Sequence, residues 1–146
     1  MAAPVVHFEV NARDAKRAQE FYAELFGWKI NTNNPIGYGV VDTGLKMGIN
    51  GGIGQIEGDK PPFVTFYAQV EDPQAYLDKA VSLGATVITP VTEIPNMITY
   101  ALFSDPEGNR VGVVKGPQSL PRAKPRKAIS RKPVSRKKKA SRKRRR

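Results

Sequence analysis

Cysteine is absent from this 146-residue chain, and histidine occurs only once. The missing thiols exclude disulfide bonds, thiolate nucleophiles and cysteine-ligated metals. No run of about 18 apolar residues occurs, so the sequence predicts no membrane-spanning helix. The N-terminus has no basic segment followed by an apolar one, so no signal peptide is predicted either. Together these absences favour a cytoplasmic protein.

Acidic and aromatic residues are missing from the C-terminal end of the chain. Residues 117–146 hold 15 of the 24 Lys and Arg residues and none of the 13 Asp and Glu residues. Residues 1–116 therefore carry nine basic and 13 acidic side chains, a formal charge of −4, and the tail accounts for the net charge of +11. We interpret the chain as one mildly acidic domain, residues 1–116, followed by a basic tail.

The tail interleaves Lys and Arg with Pro, Ala and Ser, and we predict that it is disordered because it cannot bury enough apolar surface to fold. It resembles, in composition only, the tails of histone-like nucleoid proteins. Its cations are expected to bind nucleic acid by releasing counterions, with little sequence preference, which would associate the protein with the nucleoid. A solubilising extension and a targeting signal are the alternatives. The predicted contacts are Arg122, Lys124, Arg126, Lys127, Arg131, Lys132, Arg136, Lys137, Lys138, Lys139, Arg142, Lys143, Arg144, Arg145 and Arg146.

A strand-like pattern occurs twice in the domain, about 58 positions apart. Val5–Asn11 and Phe63–Gln69 both alternate apolar and polar residues with a period of two, which is typical of a strand between two different environments. We expect the apolar residues to pack under helices and the polar ones to converge on the other face. The apolar set is Val6, Phe8, Val10, Val64, Phe66 and Ala68. The polar set is His7, Glu9, Asn11, Thr65, Tyr67 and Gln69.

The segments after the two strands predict the same order of elements. Asn11 and Asp14 are the two candidate caps for a helix that runs to about Leu25 and ends at Gly27, with Ala18, Phe21, Tyr22 and Leu25 on its buried face. Asp72 caps a second helix that ends at Gly84. Later strands are predicted at Trp28–Asn31, Tyr38–Asp42, Leu45–Asn50, Thr86–Val91, Ile98–Ser104 and Arg110–Lys115, and Gly51–Pro62 is predicted to be a loop. The fold class is therefore α+β: two tandem βαβββ modules, at about residues 5–52 and 62–115, forming a curled open sheet.

Four segments are similar to the vicinal oxygen chelate superfamily, which includes glyoxalase I, bleomycin-resistance proteins and extradiol dioxygenases. They are V-H-F-E-V-N-A-R-D, F-Y-A-E-L-F-G-W-K-I, A-V-S-L-G-A-T-V and D-P-E-G-N-R-V-G. The resemblance covers residues 5–115 and implies a cavity enclosed by the two modules, but it indicates no single activity. Metal-dependent members place one ligand on the first strand and one on the fourth strand of each module.

The resemblance puts these ligand positions at His7, Gly48, Thr65 and Gly112, so only one metal-binding side chain of four is retained. An ion such as zinc, nickel or iron needs three or four donor atoms at one site. We therefore predict no metal and no other cofactor. A divalent ion held by His7, Glu9 and weaker ligands is the less favoured alternative.

The predicted function is binding of a small molecule in this metal-free cavity. His7 and Glu9 are the candidate catalytic pair, although a structural hydrogen-bonded pair or a remnant of a metal site is the plainer interpretation. The candidate substrate-binding residues are Trp28, Tyr38, Thr65, Tyr67, Gln69 and Tyr100. The alternatives are a glyoxalase-like lyase, isomerase or dioxygenase-like enzyme, and an adaptor tethered to nucleic acid by its tail. The sequence identifies neither a ligand nor a reaction, and it leaves a pseudosymmetric monomer and a homodimer open.

Overall fold

A computed structural model describes residues 2–116 of the chain. The tail at residues 117–146, with its predicted disorder and nucleic-acid contacts, lies outside the described residues. The elements in chain order are β1 (Val5–Ala12), α1 (Ala15–Phe26), β2 (Lys29–Asn31), β3 (Gly39–Asp42), β4 (Gly51–Gln55), β5 (Phe63–Gln69), α2 (Pro73–Ser82), β6 (Thr86–Ile94), β7 (Ile98–Ser104) and β8 (Arg110–Lys115). This order confirms the predicted α+β class with two βαβββ modules.

The eight strands of residues 2–116 form one open sheet in the order β2-β3-β4-β1-β5-β8-β7-β6. Strands β1 and β5 pair antiparallel at its centre, where Phe8 lies opposite Phe66. Each of them pairs on its other side with the last strand of its own module, β1 with β4 and β5 with β8, both in parallel. The modules are thus related by an approximate twofold axis near Phe8 and Phe66. The polar residues of both first strands consequently lie side by side in the middle of the sheet.

Capping residues fix both helices at their N-termini. The Asp14 carboxylate accepts a hydrogen bond from the backbone amide of Arg17. The Asp72 carboxylate accepts from the amides of Gln74 and Ala75, and Pro73 occupies the first turn, where no backbone donor is needed. Gly27 ends α1 in the left-handed conformation, with φ of 68°. Within residues 2–116, neither helix is long and apolar enough to cross a membrane.

The fourth strand of the first module is β4 at Gly51–Gln55, so the predicted strand at Leu45–Asn50 was wrong, and the predicted loop Gly51–Pro62 is confirmed only from residue 56 onward. Glycine is rare in strands, but it fits where another group approaches the backbone closely. A Cβ atom on Gly51 would overlap the Phe8 ring, and one on Gly52 would overlap the Tyr38 ring. Glycine is therefore required in β4 because aromatic rings occupy the space above it.

This correction moves one of the family ligand positions. Gly48 lies outside the strands, with φ of 86°. Gly52 pairs with Glu9 in the same way that Gly112 pairs with Tyr67 in the second module. The counterpart of Gly112 is therefore Gly52 and not Gly48.

The apolar core lies mainly between α2 and the second half of the sheet. Val70, Leu77, Ala101 and Val113 form its buried cluster. In the first module, Val41 and Ile53 are the most deeply buried side chains. Helix α2 packs on β6, β7 and β8, whereas α1 contacts mainly β4, β1 and β2.

The middle of the sheet face on which the helices pack is covered by neither helix, which contradicts part of the predicted core. Val64 and Phe66 of β5 are 67% and 44% exposed, since neither helix packs over this strand. Helix α1 buries Ala15 and Gln19, while the predicted core residues Phe21 and Leu25 are exposed. Gln19 replaces an apolar contact with hydrogen bonds, because its side-chain amide donates to the carbonyls of Gly37 and Ile53.

Candidate functional site

Polar side chains from β1, β5 and the segment before β3 meet around the carboxylate of Glu9. The Tyr38 hydroxyl donates a hydrogen bond to Oε2 of Glu9 at 2.9 Å. The Tyr67 hydroxyl and the Asn11 amide donate to Oε1, at 3.3 and 2.9 Å. Hydrogen bonds to an ionised carboxylate are among the stronger ones in proteins. Three donors from three parts of the chain therefore hold Glu9 in one position.

His7 extends this network through Tyr38. Its Nε2 atom lies 3.0 Å from the Tyr38 hydroxyl oxygen. Because that hydroxyl donates its one hydrogen to Glu9, Nε2 must carry the hydrogen of this second bond. The Nδ1 atom of a neutral His7 ring is then left with a free lone pair. The imidazole and the Tyr67 ring form a T-shaped contact, with centroids 5.7 Å apart. We call His7, Glu9, Tyr38 and Tyr67 the polar cluster.

Local contacts position Tyr38 for this role. The Asn34 side chain donates to the Tyr38 carbonyl at 2.7 Å and accepts from its amide at 3.0 Å, which clamps the backbone just before β3. The ring then lies over Gly52, as the Tyr67 ring lies over Gly112. The two fourth-strand glycines thus provide matching spaces for two tyrosine rings, one on each side of Glu9.

The environment keeps the imidazole neutral and the tyrosines protonated. Burial lowers the pKa of His7 below its ordinary value of 6.5, although the charge of Glu9 acts in the opposite direction. Burial, and then the charge of Glu9 and the hydrogen bond to it, raises the pKa of both Tyr38 and Tyr67 far above the ordinary value of 10. Near neutral pH both hydroxyls are therefore donors and His7 carries no charge.

Two further predicted binding residues lie beside the polar cluster. Thr65 is buried, and its hydroxyl donates to the Arg110 carbonyl at 2.7 Å, so its hydroxyl hydrogen is already engaged by the backbone. Tyr100 of β7 is near enough to Tyr67 to contribute to its raised pKa. Gln69 is exposed at the end of β5, beyond Tyr67.

The structure does not bring Trp28 to the polar cluster. Its ring lies 5.2 Å from that of Phe8, 5.8 Å from Tyr22 and 4.9 Å from Phe26, measured between centroids. Phe8 and His7 are consecutive in β1, so their side chains point to opposite faces of the sheet. Trp28 therefore belongs to the aromatic packing between α1 and the sheet.

Asn34 and Gly52 contribute to the site but were absent from the sequence prediction. Asn34 carries no pattern that distinguishes it from an ordinary turn residue. Gly52 could have been found, because glycines within a strand mark close approach of another group, and the repeat already contained Gly112 in the second module.

The residues present do not fit the metal site that the resemblance implies. Among residues 2–116, no three His, Cys, Asp or Glu side chains lie together. The two fourth-strand positions have no side chain, and a longer residue there would meet a tyrosine ring. His7 and Glu9 provide two metal-binding side chains, fewer than the three or four that zinc- or iron-type ions take. A metal held by the family's ligand set is therefore incompatible with this cluster.

The polar cluster lies in a half-buried part of the sheet, apart from two surface depressions formed by residues 2–116. A depression of about 290 Å³ lies beside the turn between β6 and β7, where Glu93, Met97 and Lys115 are among its lining residues. A second, of about 400 Å³, is lined by Phe21, Glu24 and Leu25 of α1. Neither includes a residue of the polar cluster, whose members are buried or half-buried.

Comparison with known proteins agrees with this fold. Residues 5–113 match the sequence model of the Glyoxalase/Bleomycin resistance protein/Dioxygenase superfamily. Protein CFP32 of Mycobacterium bovis, which is named as a glyoxylase, is 31% identical over 115 residues covering 72% of this chain and 42% of CFP32. The chain therefore spans less than half the length of that relative.

Two solved structures have the same fold at low identity. A glyoxalase/bleomycin resistance protein/dioxygenase superfamily member from Vibrio splendidus is 16% identical, with a TM-score of 0.55, over 78% of this chain and 99% of its own. Methylmalonyl-CoA epimerase from Mycobacterium tuberculosis is 13% identical, with a TM-score of 0.56, over 77% and 87% of the two chains. Similarity at this level is informative about fold alone.

Proposed function

Because the chain belongs to the Glyoxalase/Bleomycin resistance protein/Dioxygenase superfamily, we propose that it binds a small molecule at the polar cluster without the metal of its metal-dependent relatives. The observation that supports this most is the half-buried Glu9 carboxylate, held by three donors at the junction of the two modules. A few convergent polar groups on a largely apolar surface are typical of ligand sites. Within the superfamily, the same region of the fold carries the metal.

A ligand-binding screen tests this proposal. We expect fragments that bind the full-length protein to shift the amide NMR signals of β1 and β5. Tyr67→Phe should weaken the binding of these fragments because it removes one donor to Glu9. Glu107→Gln is the matched control, since Glu107 is exposed in the turn before β8. Fragments that bind equally well to wild type and Tyr67→Phe, or that shift only other regions, would contradict the proposal. So would stoichiometric nickel, zinc or iron in the purified protein.

Acid–base catalysis is the second candidate function, and the hydrogen-bonded chain from Glu9 through Tyr38 to His7 favours it. In this mechanism the free Nδ1 atom of neutral His7 removes a proton from a bound substrate. The imidazolium that forms is stabilised by Glu9, whose charge acts through the Tyr38 hydroxyl. The reaction class would be proton abstraction followed by isomerisation or elimination, and it requires no redox partner.

Deuterium exchange separates this candidate from simple binding. A general base should catalyse incorporation of deuterium from D₂O into a bound fragment, and His7→Gln should slow this exchange by about 10² to 10⁴-fold. Fragment affinity should change much less than the exchange rate. Exchange that is equally fast with His7→Gln would remove His7 as the base and leave binding as the function.

We also propose that the basic tail binds nucleic acid non-specifically. Its 15 Lys and Arg residues and lack of acidic residues support this, as does the formal charge of −4 on the rest of the chain, which makes the domain a poor polyanion binder. Removal of residues 117–146 should abolish binding to duplex DNA in a filter-binding assay. Unchanged affinity after the truncation would refute the proposal.

A further inference from the structure

The hydrogen atoms and lone pairs of the polar cluster can be assigned individually. Tyr38 and Tyr67 each donate their only hydroxyl hydrogen to Glu9, and His7 donates its Nε2 hydrogen to Tyr38. An ionised carboxylate has about four acceptor positions. In Glu9 two donors reach Oε1 and one reaches Oε2, so one position on Oε2 is open. The open groups are therefore mainly acceptors: Oε2 of Glu9 and Nδ1 of His7.

The charge of the cluster has the same sign as its open acceptors. Every assigned donor to Glu9 is an uncharged hydroxyl or amide, so these hydrogen bonds leave its negative charge formally uncompensated. His7 is neutral near pH 7 because burial disfavours its protonated form. The domain as a whole adds a formal charge of −4.

We propose that the polar cluster selects a small organic cation with N–H donors, such as a primary or secondary ammonium group, over neutral and anionic molecules of the same size. One N–H would donate to Oε2 of Glu9 and another to Nδ1 of His7. An anion would meet a like charge and would find the hydroxyl and imidazole donors already engaged. This inference rests on the proposed small-molecule function and specifies its ligand class.

Three probes of nearly equal size and different charge test the proposal: benzylammonium, benzyl alcohol and benzoate. Each is titrated into full-length ¹⁵N-labelled protein while the amide signals of residues 7–11 and 65–69 are followed. Benzylammonium should shift these signals saturably. Benzyl alcohol should bind at least about tenfold more weakly, because it lacks the charge-assisted hydrogen bond. Benzoate should leave them unmoved, even if it binds the basic tail. Reading individual amides keeps such tail binding separate from the site.

Two variants attribute the selectivity to Glu9. Glu9→Gln keeps the size and one acceptor but removes the charge, so it should lower benzylammonium affinity about tenfold or more. Tyr38→Phe keeps the charge and should retain the preference for the cation. Glu107→Gln should behave as wild type. The amide spectrum of each variant reports whether it is folded.

The possible outcomes test the preference for a cation and the small-molecule function separately. Benzyl alcohol or benzoate binding at these amides as tightly as benzylammonium would overturn the cation inference and leave the small-molecule function intact. No shift at residues 7–11 and 65–69 with any of the three probes at millimolar concentration would overturn both. A preference for benzylammonium that survives Glu9→Gln would show that the selectivity arises elsewhere and would also overturn the inference.

Discussion

Gly52→Ala is the substitution that tests the geometry of the site most specifically. Gly52 lies in the middle of β4, paired with Glu9 on one side and Val40 on the other. A Cβ atom there would overlap the hydroxyl end of Tyr38. The ring must move, and it then loses its hydrogen bonds to Glu9 and His7. A hydrogen bond to a charged group contributes about 1.5–3 kcal/mol and one between neutral groups about 0.5–1.5 kcal/mol.

Tyr38 is only half-buried, so water recovers part of this loss, and we expect Gly52→Ala to lower the free energy of unfolding by about 2 kcal/mol. In a Tyr38→Ala background the same substitution should become neutral or stabilising by up to about 1 kcal/mol, because glycine in a strand is itself unfavourable. The coupling between the two substitutions is then about 2–3 kcal/mol. Urea unfolding of the four proteins of the cycle measures it.

Gly116→Ala is the matched control. A Cβ atom at Gly116 meets no atom of residues 2–116 within 4 Å, and its φ is not positive, so its effect should stay within about 0.5 kcal/mol. An equal cost of Gly52→Ala in both backgrounds would refute the account, since it would mean that Tyr38 does not fill the space above Gly52.

Four further predictions concern the charges of the molecule. The single histidine should titrate by NMR with a midpoint below 6.5, and Glu9→Gln should lower the midpoint further, because the Glu9 charge raises this pKa; a higher midpoint in the variant would contradict the network. Since the pKa of His7 is lower in the folded than in the unfolded protein, its contribution to stability is complete above about pH 6.5 and declines as the pH falls below that value. The decline is at most about 1.4 kcal/mol per pH unit, and His7→Gln should remove it. In an ultraviolet titration, Tyr38→Phe and Tyr67→Phe should leave the absorbance change near pH 10 unaltered, because both hydroxyls ionise only well above that pH; a smaller change near pH 10 would show an unperturbed tyrosine. The logarithm of DNA affinity should fall with the logarithm of salt concentration by about 0.9 for each engaged tail cation, and a slope near zero in the full-length protein would count against the tail interface.

Period-two alternation and the internal repeat were sufficient to predict the fold class. Val5–Asn11 and Phe63–Gln69 are strands β1 and β5 within one residue of the prediction, and their pairing forms the centre of the sheet. The cap Asp72 was also predicted, and Asp14 was one of two candidates for the first helix beside Asn11, since side-chain capping depends on local sequence. Interactions between residues close in sequence determine the structure at these positions.

The prediction failed where a neighbouring segment decides the structure. The glycines of β4 mark a close approach, but no local pattern reveals that the rings of Phe8 and Tyr38 lie over them. Phe21 and Leu25 have helical spacing typical of a buried face, yet α1 turns Ala15 and Gln19 toward the sheet. The homodimer and the cytoplasmic location stay predictions.

The same distinction applies to the site. The polar face containing His7, Glu9 and Tyr67 follows from strand periodicity, but the bond from Tyr38 to Glu9 depends on a segment 29 residues further along the chain. The side of the sheet on which Trp28 packs depends in the same way on the position of α1. Contacts between distant segments set both, and a single sequence contains no direct signal for them.

The central claim is that the polar cluster binds a small molecule without a metal. Amide shift mapping of benzylammonium on full-length protein treated with a chelator tests it most directly. The account predicts saturable shifts at β1 and β5 around His7, Glu9 and Tyr67, unchanged when nickel or zinc is added back. Shifts that appear only with added metal, or that are confined to the depression near Glu93 and Met97, would contradict it.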